Sequence, residues 1–349
     1  MGHLLRFTAP REAEVVDVPD EGVLSPGQVR LETLYSGISA GTELTVYRGT
    51  NPYFAARWDG DDRLFVPGPP GMAYPVDAFG YEEVGRVSAV GDGADPALVG
   101  RFVWGLWGHR STVVKDAAWV QPRVMPEDAR PVTGIFAKIG AIALNAVLDA
   151  DIHVGETVAV FGAGVPGQLV AQLARLNGAR VVVADLLPAR RRLAADLGAA
   201  EVLDPADGSV AEHVRCLTGG RGADVVIEMS GSYRALHEAV RTAAYSSRVV
   251  VSGFFQGGAE AVRLGEEFHH NRVSVVGSQI SGVAPGLQHR WDEVRMSTTV
   301  LDLALQGRLR LEELITHTVP ARQAPEAFRM LDSDPDGALQ VVLDYGVDR

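Results

Sequence analysis

The chain has 349 residues, 46% of them hydrophobic and 22% charged, with a net charge of −12 and a pI of about 5.2. This length allows two domains with sizeable cores. The acidic balance argues against nonspecific binding to nucleic acid or an anionic membrane, and the single Cys216 excludes an internal disulfide and any multi-cysteine metal site.

Met1-Gly-His-Leu-Leu-Arg-Phe7 lacks the apolar stretch of a signal peptide and the Ser/Thr of a myristoylation signal. No apolar run approaches the roughly 18 residues of a membrane helix. The expectation is a cytoplasmic protein. Residues 1–138 read as strand and turn: Glu12-Ala-Glu-Val-Val-Asp-Val-Pro19 and Gln28-Val-Arg-Leu-Glu-Thr-Leu-Tyr35 alternate at a period of two, as half-buried strands do. Residues 50–79 hold no period and carry Tyr53, Phe54, Trp58, Phe65 and Tyr74 among prolines. A long irregular loop of this kind is often functional. Tyr53, Trp58 and Trp107 are candidate walls of a wide substrate cleft. His109, in Gly105-Leu-Trp-Gly-His-Arg110, is a weaker candidate for substrate contact, with a half-exposed loop position as its plainer reading.

From residue 139 the rhythm becomes strand–helix alternation. Strands are expected at 157–161, 180–184, 224–228, 248–252 and 273–276, and helices at 166–177, 188–198, 209–217 and 233–244. Such apolar strands imply a parallel sheet covered on both faces. The first strand runs into Gly162-Ala-Gly-Val-Pro-Gly167, with glycines at the G-x-G-x-x-G spacing. Gly162 suits a tight turn, Gly164 a close approach of pyrophosphate, and Gly167 close helix–strand packing. Val165 and Pro166 open the helix whose N-terminus would face phosphate. Asp185 ends the second strand, 23 positions after Gly162, where an acceptor for ribose hydroxyls is expected. A carboxylate there repels a 2′-phosphate, so NAD(H) is expected over NADP(H). Arg190 and Ser230 are further cofactor candidates, although Arg190-Arg-Arg192 reads mainly as a solvated helix face. Helices near 296–306 and 323–331 follow, and Leu339-Gln-Val-Val-Leu-Asp344 reads as a strand returning to the first domain.

Five segments together resemble the medium-chain dehydrogenase/reductase family: Ser36-Gly-Ile-Ser-Ala-Gly-Thr-Glu43, Gly80-Tyr-Glu-Glu-Val-Gly-Arg-Val87, Ala143-Leu-Asn-Ala-Val147, the glycine turn and Leu314-Ile-Thr-His-Thr-Val-Pro320. The resemblance implies a GroES-like, mostly β catalytic domain (1–138 and 281–349) around a Rossmann doubly wound parallel sheet (139–280). It also implies a cleft between them, hydride transfer with a nicotinamide, and a homodimer or homotetramer formed through the edge strand near 273–276.

Zinc-using members look like G-I-C-G-T-D and G-H-E. Here Ala40, or Ser39 with a one-residue shift, aligns with the cysteine, Tyr81 with the histidine, and Lys138 with the third ligand. The four-cysteine structural zinc lobe is missing as well. Zinc wants several thiolate, imidazole or carboxylate ligands, so no metal is expected. The pattern with Met72-Ala-Tyr-Pro75 is similar to a zinc-lacking branch typified by bacteriochlorophyllide dehydrogenases, and to natural-product and sugar dehydrogenases. The expectation is an oxidoreductase moving hydride between NAD(H) and a bulky or cyclic secondary alcohol or ketone. Tyr81 is the candidate acid/base, Lys138 lowers its pKa, Glu82 orients Lys138 and Thr42 stands at the relay hydroxyl; the alternative is that Lys138 only pairs with Glu82 and fills the vacated metal cavity. Ser39 is placed at the substrate. The alternatives are an enoyl or quinone reductase acting on an activated C=C bond, and a nonredox cofactor-binding protein.

Overall fold

The structure is a computed structural model, described for residues 2–19 and 22–346. It divides into two compact units, Met1–Lys138 with Ile315–Arg349, and Ile139–Leu314. The second boundary therefore falls at 314/315, not at 280/281. The reason is packing within the second unit. Val300, on helix Glu293–Leu305, stands 2.5 Å from where a Gly140 Cβ would be. Gln172 Oε1 accepts from Arg310 N at 2.9 Å.

In the second unit, six parallel strands lie in the order Glu201–Leu203, Arg180–Ala184, Thr157–Phe161, Ala223–Glu228, Ala243–Val251, Ser274–Gly277. Their valine-rich sequences suit burial on both faces, and every residue of Thr157–Phe161 is buried. Helices Val165–Leu176, Pro188–Asp196, Val210–Leu217 and Tyr233–Thr242 alternate with the strands, close to the expected ranges. The strand order reverses between Thr157–Phe161 and Ala223–Glu228. In such sheets the crevice beyond the carboxyl ends of those strands is where ligands bind. Gly162 and Ser230 both stand there.

The first unit is mostly β. Its larger sheet has the order Ile315–Pro320, Gln340–Asp344, Gln28–Ile38, Glu83–Val90, Phe102–Gly105, and Thr112–Asp116 also pairs with Gln28–Ile38. The C-terminal strand does return, with Val342 opposite Gly37. The irregular 50–79 stretch contains a short hairpin, Arg57–Asp59 with Leu64–Val66. Helix Ala40–Arg48, between the strand ending at Ile38 and this stretch, was not foreseen. Its Tyr47 packs edge-on or tilted with Phe7 and Phe328, the three rings 5.0–6.1 Å apart.

Among the described residues one helical stretch, Pro131–Ala150, is long and apolar enough to cross a membrane, contrary to the sequence reading, but it is mostly buried, as a core helix is.

Candidate active site

In the first unit, strand pairing sets the site. Ser36 lies opposite Glu83 in the ladder between Gln28–Ile38 and Glu83–Val90, and Gly37 N donates to Glu82 O at 2.7 Å. The two strands therefore deliver Ser39 and Tyr81 to the same end. Gly37 leaves room for the Glu82 carboxylate: a Cβ there would come within 2.5 Å of Glu82 Oε2 and 2.8 Å of Gln340 Nε2 and displace them. Just beyond it, the Tyr81 hydroxyl bonds Ser39 Oγ and lies 3.3 Å from Thr42 Oγ1. Ser39 is the N-cap of helix Ala40–Arg48 and Thr42 lies in its first turn. Tyr81, Ser39 and Thr42, all named from the sequence, form one hydroxyl cluster.

Three carboxylates lie buried around it. Glu43, Glu82 and Glu83 are each at most 1% exposed. Glu82, expected to orient Lys138, accepts from Gln340 Nε2 at 3.1 Å, and its Oε1 is buried without a hydrogen-bond partner. Burial, with Glu43 and Glu83 close by, holds the Glu82 carboxyl well above the usual carboxylate range. Burial and the Glu82 carboxylate also push the Tyr81 phenol up. That reverses the expected lowering by Lys138: burial dominates, the Glu82 carboxylate adds to it, and the phenol is held neutral. Lys138 is the third residue of helix Phe136–Ala150 and is half-buried.

Two substrate candidates move into the interior. His109 is wholly buried, not half-exposed in a loop, because Glu43 Oε2 meets its Nε2 at 2.6 Å and Ser36 Oγ meets its Nδ1 at 2.6 Å. Trp107 is a core residue rather than a cleft wall: it is 7% exposed and its Nε1 donates to Thr33 Oγ1 at 2.9 Å. Tyr53 and Trp58 remain at the surface, 37% and 41% exposed, packed on Phe65. Sequence reasoning missed Ser36, Glu43, Glu83 and Gln340. The only signal for Glu43 and Glu83 was their presence inside the two motifs already singled out.

In the second unit the glycine turn has the geometry a dinucleotide needs. Gly162 has φ +90°, and a Cβ there would come within 2.8 Å of Ser230 N. A Cβ on Gly167 would overlap the Gly162 carbonyl oxygen. A Cβ on Gly164 would meet nothing nearer than 3.9 Å, the distance to Arg190 Nη1 and Pro166 Cδ. That open face, at the N-terminus of helix Val165–Leu176, is a cradle for pyrophosphate. Asp185 Oδ2 accepts from Ala163 N at 2.6 Å and Oδ1 from Leu187 N at 2.8 Å. Arg190 borders the turn, and Arg191 pairs with Asp204 at 2.7 Å, so of the three arginines only Arg192 is exposed as expected of a solvated helix face. Ser230 N and Oγ both donate to Glu228 Oε1, the former at 2.8 Å. Glu228, unforeseen, is wholly buried and also accepts from Gly231 N at 3.2 Å. These residues fit a pyridine dinucleotide, and Gly162, Gly164, Val165, Gly167 and Asp185 are the ones that would hold it.

A glycine cradle at the switch point of a parallel sheet, joined in one chain to a β unit bearing a proton-active cluster, defines a nicotinamide-dependent oxidoreductase. Residues 166–298 match the family described as zinc-binding dehydrogenase. A D-guloside 3-dehydrogenase of Escherichia coli (strain K12) is 30% identical over 345 residues, covering 97% of this chain and 98% of the relative. Among solved structures, a zinc-binding-type dehydrogenase from Sinorhizobium meliloti 1021 bound to NADP superposes with TM-score 0.77 at 22% identity, covering 99% of both chains. An alcohol dehydrogenase from E. coli CFT073 complexed with NADH superposes with TM-score 0.74 at 20% identity, again covering 99% of both. The chain belongs to the zinc-binding dehydrogenase family of medium-chain dehydrogenases, whose members include alcohol and sugar dehydrogenases.

The residues do not fit the family's catalytic zinc. Where thiolate and imidazole are expected stand Ala40, or Ser39 with a one-residue shift, and Tyr81, and a lysine, Lys138, stands at the third aligned position. Among the described residues, no group of three or more His, Cys, Asp or Glu could hold a metal ion.

Proposed function

We propose that this protein is an NAD(H)-dependent dehydrogenase of ring secondary alcohols, a sugar glycoside being the favoured substrate, and that it works without catalytic zinc. The observation that carries the reading is the Ser39–Tyr81–Thr42 hydroxyl cluster, with Tyr81 where the resemblance places a zinc ligand, Thr42 at the relay, and Ser39 beside or at the cysteine position. A nicotinamide held at the Gly162–Gly167 turn would supply or accept the hydride. The chain's own task is to bind the alcohol or carbonyl oxygen and move one proton.

The neutral Tyr81 phenol donates a hydrogen bond to the substrate carbonyl and delivers its proton as the alkoxide develops. Ser39 and Thr42 hold the phenol oxygen and pass the replacement proton. In the reverse direction the same hydroxyls carry the alcohol proton away. An activated C=C bond would leave a hydroxyl cluster at this spot with less to do, so carbonyl chemistry is preferred over enoyl or quinone reduction.

Asp185 supports the NAD(H) assignment, because its carboxylate accepts ribose hydroxyls and repels a 2′-phosphate. The edge strand Ser274–Gly277, with Val275 45% exposed, supports self-association as at least a dimer.

The test is a screen of the full chain with methyl hexopyranosides, D-guloside included, cyclic ketones and enones, following NADH absorbance. Turnover of glycosides or ketones that survives exhaustive chelation is expected. Turnover confined to enones, or abolished by chelation and restored by zinc, contradicts the proposal.

A further inference from the structure

We propose that His109 is the positioning residue of the hydroxyl cluster, fixing Ser39 through Glu43 and Tyr81 through Ser36 and Glu83. The inference rests on the role given above to Tyr81. It begins with where the imidazole stands. The ring is wholly buried and its edge meets Phe328 at 6.0 Å between centroids. Both nitrogens are committed, Nε2 to Glu43 Oε2 and Nδ1 to Ser36 Oγ, each at 2.6 Å. No ring atom is left for a substrate.

The direction of the bonds follows from the partners. The Ser36 hydroxyl donates to Glu83 Oε1 at 3.3 Å, so toward His109 it accepts, and Nδ1 carries a proton. Nε2 faces a carboxylate oxygen and carries the other. Burial alone would lower the imidazolium, but Glu43 and Glu83 outweigh it and hold His109 above the usual imidazole value. A buried cation thus offsets part of the charge of carboxylates that would be costly to leave unpaired.

Each carboxylate then uses its remaining capacity on the backbone of the cluster. Glu43 Oε1 accepts from Ser39 N at 2.9 Å, which fixes the helix start that carries Ser39 and Thr42. Glu83 Oε1 accepts from Glu82 N at 3.2 Å, the peptide that follows Tyr81, and Oε2 accepts from Trp107 N at 2.7 Å. One imidazolium therefore ties together segments 36–43, 81–83 and 107–109. Misplacing a reacting group by an ångström can cost on the order of 100-fold in rate. That is the effect such a brace prevents.

The test uses the full chain with His109→Gln, Ser36→Ala and Tyr81→Phe, and His109→Gln combined with Tyr81→Phe. A glycoside such as methyl D-guloside with NAD is the turnover probe, and a nitrogen-resolved imidazole spectrum at pH 7.5 reads the ring without substrate. Both ring nitrogens are expected to be protonated, and a neutral tautomer overturns the inference. His109→Gln is expected to lower kcat about 10- to 100-fold while the NAD Kd stays within about twofold. Ser36→Ala, which removes one link and no charge, shows the same pattern in smaller measure, and it carries the test if His109→Gln does not fold. In the Tyr81→Phe background the His109 effect should vanish. If Tyr81→Phe is disabled but both brace variants keep full turnover, the inference fails alone. If Tyr81→Phe keeps full turnover, the role of Tyr81 fails and the inference with it.

Discussion

Asp185 Oδ2 accepts a hydrogen bond from the Ala163 N–H at 2.6 Å, so the acid that ends the second strand of the parallel sheet is tied to the glycine turn that ends the first. The same carboxylate has lone pairs left for ribose hydroxyls. Asp185→Ser removes a charge-assisted acceptor, worth about 1.5–3 kcal/mol. NAD(H) affinity should fall by roughly 10- to 100-fold, and the preference over NADP(H) should shrink. Fluorescence titration of NADH and NADPH checks both. Unchanged affinities would remove Asp185 from the cofactor site.

Gly164 and Gly167 should respond oppositely to alanine. At Gly164 the new methyl meets no atom nearer than 3.9 Å. The fold should tolerate it, with Tm shifted by no more than about 2 °C, while NADH binding weakens because the methyl occupies the cradle. At Gly167 the methyl overlaps the Gly162 carbonyl, and the loss of stability should be on the order of 3 kcal/mol. Thermal melts alongside NADH titrations separate the two effects.

Most of the second unit was legible because its signals are local. The glycine spacing, the apolar strands and Asp185 lie within one strand–helix–strand run. The true end of that unit was not, since helix Glu293–Leu305 joins it through Gly140, far away in sequence. At the site, Tyr81, Ser39 and Thr42 were found because a family pattern named their positions. His109 was misplaced because its burial depends on Glu43, 66 residues earlier, and a sequence does not show which carboxylate will neutralise a histidine. The direction of the Tyr81 shift was misread for the same reason: its burial, and the approach of Glu82 and Glu43 from two segments, are set by the fold.

Glu228 yields a stability prediction with a definite sign. Burial raises its carboxyl, and the Ser230 hydroxyl with the Ser230 and Gly231 N–H groups offsets only part of the rise. The folded chain therefore holds this proton more tightly than the unfolded one. The contribution is fully present below the unfolded value of about 4.3 and is lost as pH rises through the folded value. Glu228→Gln does not ionise. Its stability relative to the native chain should improve between pH 4.5 and 7.5, as read by urea unfolding at the two pH values. A difference that stays flat, or moves the other way, would mean that Glu228 is not held protonated.

Single-turnover hydride transfer by Tyr81→Phe tests the central claim most directly. The substitution keeps the ring and removes only the hydroxyl bonded to Ser39 and near Thr42. With NADH affinity unchanged within about twofold, the rate should fall by about 100-fold or more, the usual worth of a positioned acid or base. A rate within a factor of about three of the native enzyme would show that another group carries the proton.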